Sequence, residues 1–136
     1  MKTTLTIEQS DTLISKGISP ERASEIFIDA GAHGKFPTPK ATGMMLECAH
    51  EAKIIGSIFT LSDLFSLLPK EIDAYQLTTV AYPNYWEVSY QLYDYSEFAE
   101  AVCSRDIKNR ICRTELIDAL YYILERVIEQ QLFKFN

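Results

Sequence analysis

Cys48 and His50 are where a search for chemistry begins, with Glu47 and Glu51 on either side and His33 in the segment before. Thiolate, imidazole and carboxylate are the groups zinc takes, but a zinc site needs three or four of them converging, commonly in paired spacings. Here one Cys-x-His stands without a second pair. The expectation is a buried thiol and two surface histidines, with no metal and no cofactor. The same two side chains could serve as nucleophile and base only if they touched. At positions i and i+2 of a helix they point apart, and no G-x-S-x-G motif offers a serine instead. Gly31-x-x-Gly34-Lys35 looks like the end of a phosphate-binding loop. It lacks the first glycine and a preceding apolar strand, and Phe36 stands where Ser or Thr would hold magnesium. The carboxylate pairs Asp94/Glu97 and Glu125/Glu129 read as solvated faces. No residue is therefore assigned a catalytic role, and the expectation is a protein that is not an enzyme.

Aromatic residues are the one mild excess. Tyr82, Tyr85, Trp86, Tyr90, Tyr93, Tyr95, Tyr121 and Tyr122 fall in one stretch of the chain. Tyr and Trp are enriched in protein interfaces, and they suit a half-buried sheet equally well. Tyr82, Tyr85, Tyr93, Tyr121 and Tyr122 are the candidates for an interaction surface.

Charge narrows the partners. The 136 residues carry a net charge of −6, and the pI is near 4.9. Phosphate backbones and anionic membranes repel such a chain unless a basic patch forms locally. The densest basic run, Arg105, Lys108, Arg110 and Arg113, also contains Asp106. The N-terminus lacks an apolar signal core, and no segment approaches the roughly 20 apolar residues of a membrane span. Cys48, Cys103 and Cys112 are odd in number and unpaired in spacing, as reduced thiols would be. These features predict a single cytoplasmic domain, residues 1–136.

The elements that must position these residues start with a capping box, Thr6 to Gln9, opening a helix that Gly17 ends. Ser19-Pro20-Glu21 predicts a second helix, with Ala23, Ile26, Phe27 and Ala30 as its stripe. Residues 31–43, with three Gly and two Pro, predict a loop. Residues 44–55 suit a short helix, with Ile54-Ile55 closing it or opening an extended piece. Thr60 caps the next helix, which Pro69 stops. The period then changes to two, giving a β-hairpin with a four-residue loop at 82–85. Its register pairs Ala81 with Trp86, Thr79 with Val88, Leu77 with Tyr90 and Tyr75 with Leu92. Ser96–Val102 predicts a short helix, and Arg110–Cys112 would suit a third strand. The last helix, Thr114 to Leu132, is capped by Thr114. Its apolar arc spans on the order of 200°, about twice what one packing partner needs. The hairpin would cover one flank and the N-terminal helices with Leu61–Leu68 the other, or a symmetric dimer would.

The runs LFSLLPKEI and TELIDALYYILERVIE, with Trp86-x-Val88-x-Tyr90 between them, carry a resemblance over roughly residues 58–132. The pattern resembles the C-terminal two-thirds of small uncharacterised proteins, often phage- or mobile-element-associated, from gut anaerobic bacteria. The chain departs from that pattern in the inserted 96–102 segment and at Glu125-Arg126, where an apolar residue is usual. The resemblance implies no activity and no site residues.

The expected fold is α+β: a small antiparallel hairpin or sheet on a long C-terminal helix, with several N-terminal helices. Residues 1–56 form the helical part and 57–136 the helix–hairpin–helix core. The expected role is a non-catalytic interaction module or accessory protein of a phage or mobile element, bound to an unidentified protein or to a second copy. A nucleic-acid-binding accessory protein is the alternative, since the element order resembles a double-stranded-RNA-binding domain without its basic loops. A small enzyme of another class is third.

Overall fold

Residues 25–29 follow a period of two. Ile26 and Ile28 are buried while Glu25, Phe27 and Asp29 are half-buried, and together they form a strand, β1 (Glu25–Asp29). The structure is a computed structural model that describes residues 1–94 and 103–130. The Ser96–Val102 helix and Leu132 lie outside the described residues. The fold is α+β, with two antiparallel sheets and, among the described residues, four α-helices, the last of them C-terminal. The chain divides into two compact units, residues 2–65 and the part from Ser66 onward. Residues 57–65 thus belong with the N-terminal unit.

In the N-terminal unit, α1 (Ile7–Ser15) begins with the expected capping box: Gln9 N–H donates to Thr6 Oγ1, and Thr6 N–H to Gln9 Oε1, both at 3.1 Å. Gly17, at φ 108°, ends it. Ile18 N–H reaches back to Leu13 O and Gly17 N–H to Ile14 O, which is the Schellman closure. Ser19 does cap the next turn, with Pro20 at its start, but only a single 3-10 turn forms (Pro20–Arg22). The helix expected over this region is therefore corrected to a turn followed by β1. Ile26, Phe27 and Ile28 satisfy spacings of three and of two alike. β-branched and aromatic side chains prefer the pleat, and pairing on both sides of β1 decides the matter.

The expected loop at 31–43 is also corrected. It holds a 3-10 turn (Gly31–His33), strand β2 (Lys35–Pro39) and the start of α2 (Lys40–Cys48). Pro37 and Pro39 are tolerated because β2 is the edge of the sheet, ordered β2-β1-β3 with β3 at Lys53–Ile58. Two residues apart, both prolines turn the same side of the backbone to β1, and an edge strand has one side free of ladder bonds. β2 and β3 are each antiparallel to β1, so α2 is a crossover passing over it. Gly43 makes that crossing close: a methyl group there would stand 2.8 Å from Ile26 Cγ1 and 3.1 Å from Thr38 Cγ2. α1 packs against β3.

α3 (Leu61–Leu67) has a reciprocal cap. Asp63 N–H donates to Thr60 Oγ1 at 3.2 Å, and Thr60 N–H to Asp63 Oδ2 at 2.9 Å. The Asp63 carboxylate is buried and also accepts bonds from the Ser24 N–H and hydroxyl. It thereby ties α3 to the start of β1.

The second unit is a sheet ordered β4-β5-β6-β7, with β4 at Glu71–Ile72, β5 at Tyr75–Ala81, β6 at Trp86–Asp94 and β7 at Cys103–Arg113. The hairpin pairs Ala81 with Trp86, Thr79 with Val88 and Leu77 with Tyr90, as its alternation predicts. The same register runs on to Gln76 with Gln91, and on the other edge of β5 Tyr75 pairs with Ile72 of β4. α4 (Leu116–Glu129) lies against β6 and β7. Thr114 is not its cap: Glu115 holds that position, and no side chain caps the helix. Val88, Tyr90, Ile111, Leu120, Ile123, Leu124 and Val127 are buried. Ile117 and Tyr121 are buried as well, and Ile128 is half-buried. The opposite face of β6 is polar yet also buried: Glu87 pairs with Arg110 at 2.7 Å, and Gln91 donates to Ser89 at 2.9 Å. No helix of the described residues is long and apolar enough to cross a membrane.

Candidate interaction surfaces

The loop between β5 and β6 is shaped by Pro83-Asn84 and closed by a bond from Tyr82 N–H to Tyr85 O at 2.9 Å. That bond sets the two flanking rings face to face, 4.7 Å apart and 15° from parallel. Tyr82 is 42% exposed and Tyr85 40%, so the stack stands in solvent although it carries a large apolar area.

The register carries the argument across the sheet. Trp86, half-buried, faces Ala81 on one side and Arg113 on the other, so the end of β7 lies at the same end as the tyrosine loop. The Arg113 guanidinium lies 4.3 Å from the centre of the Tyr122 ring and donates to Cys112 O at 2.7 Å. A cation over an exposed ring contributes about 0.5–1 kcal/mol. Tyr122 is exposed, with its ring edge-on to Tyr121 at 5.2 Å. One end of the sheet therefore presents two tyrosines in a stack and an arginine laid on a third.

The five candidate tyrosines thus separate. Tyr82, Tyr85 and Tyr122 share this end. Tyr121 is 6% exposed and belongs to the core, so it offers no surface. Tyr93 sits seven positions along β6 from Trp86, opposite Ser104. At about 3.3 Å per residue that is roughly 23 Å away, and its side chain lies outside those described. Arg113 was missed by sequence reasoning because its contact depends on the turn between β7 and α4, which no spacing rule fixes.

A second surface gathers ionisable groups. Asp29, Glu47, His50, Glu51 and Lys53 line an open cleft of about 460 Å³. Two of its three carboxylates serve the backbone: Asp29 accepts from Gly31 N–H at 3.0 Å, and Glu47 from Ile54 N–H at 3.3 Å. His50 stands in the left-handed region at φ 59°, closing α2 by a second Schellman motif, with Glu51 N–H on Leu46 O and His50 N–H on Glu47 O. His33 and His50 are both exposed. Cys48, expected to be buried, is exposed. Gly43 takes the buried side of α2, and a residue five positions on is turned about 140° away from it. Among the described residues no three His, Cys, Asp or Glu stand close enough to hold a metal ion.

α2 carries a third surface. Met44 is 57% exposed and Met45 72%. No family model, curated protein or solved structure matches the chain.

Proposed function

We propose that this protein is a non-catalytic interaction module whose partner is another protein, gripped by the tyrosine–arginine end of the second sheet. The observation that carries this reading is the solvent-facing Tyr82–Tyr85 stack, at the end of the sheet where β7 finishes with Arg113 laid over Tyr122. Tyr and Arg are enriched among the residues that dominate binding energy in protein interfaces: Tyr covers a large area at little entropic cost, and Arg offers a planar fork of donors. The β5–β6 hairpin, braced by α4, is the scaffold of that surface. The setting that goes with the role is a phage or mobile element in the bacterial cytoplasm. The partner is an unidentified protein or a second copy of the chain.

The experiment is a comparative pull-down from bacterial lysate with the intact protein, the double variant Y82A/Y85A and the variant R113A. Circular dichroism first establishes that each variant is folded. A protein retained by the parent and lost from both variants, at least tenfold by quantitative mass spectrometry, supports the reading. Equal capture by all three overturns it. Light scattering of the parent and Y82A/Y85A reads the second-copy case directly.

A further inference from the structure

We draw no further inference here: the strongest candidate, the exposed apolar pair Met44 and Met45 on the outer side of α2, is an unpartnered helix face, and nothing in the structure shows what covers it.

Discussion

Two residues end helices in the same left-handed conformation, and they differ in how well they suit it. Gly17 has no Cβ to clash, whereas His50 at φ 59° does. The strain of an L side chain there is about 1–2 kcal/mol, part of which glycine returns through its freer unfolded chain. His50→Gly should therefore gain about 0.5–1 kcal/mol in urea unfolding, and Gly17→Ala should lose about 1 kcal/mol. Equal stability of both variants with the parent would mean that these closures relax at no cost. Tyr90 is a different case. Its hydroxyl is buried and donates to Pro69 O at 2.7 Å. Burial pushes the phenol above its ordinary range. A group whose folded pKa is raised stabilises fully below its unfolded pKa, about 10 for tyrosine, and loses that contribution as pH climbs beyond it. The parent should lose stability from about pH 10 upward by this route. Tyr90→Phe should be about 1 kcal/mol less stable at pH 7, with Pro69 O left unpaired, and flatter across the alkaline limb. An identical alkaline limb in both would assign the loss to other groups.

At the scale of elements, the sequence was most legible where one local rule had no rival. The Thr6–Gln9 box, the Thr60 cap and the three hairpin pairs from Leu77 to Ala81 follow from spacing alone. β1 was not legible because Ile26-Phe27-Ile28 fits both periods, and only its two pairing partners select the strand. β2 hid behind its prolines, which argue against a central strand and permit an edge. The end of α2 hid because His, not Gly, occupies the left-handed position. At the candidate surface, the tyrosine loop could be read from the change of period, but the Arg113–Tyr122 contact could not. α2 offers a test in which two effects oppose each other. Alanine in a helix interior is about 1 kcal/mol better than glycine by propensity. Against Ile26 and Thr38, however, the added methyl overpacks, which typically costs about 1–3 kcal/mol. Packing should win: Gly43→Ala should lower the thermal midpoint, and Gly43→Ala with Ile26→Val should recover part of the loss. A raised midpoint in the single variant would show that α2 does not press on β1 as described.

For the whole molecule, charge sets the partner class before any surface does. Nucleic-acid binding at physiological salt rests on neutralising several phosphates, and each contact adds to a steep salt dependence. The chain carries a net charge of −6. Arg110 is offset by its pairing with Glu87, and Arg113 over the neutral Tyr122 ring keeps its charge but is a single cation. Exposed tyrosines alone can stack on bases, at about 1–3 kcal/mol per base, but such platforms work inside positively charged grooves that hold the backbone. Without that field the stack should not retain a strand. Fluorescence anisotropy with labelled single-stranded and double-stranded oligonucleotides should therefore show no binding at micromolar protein in 150 mM salt, and lowering the salt should add little. A salt-sensitive rise in anisotropy that vanishes in Y82A/Y85A would move the tyrosine loop from a protein-facing role to a nucleic-acid-facing one. The same rise persisting in that variant would place the binding elsewhere on the chain and leave the loop free for a protein partner.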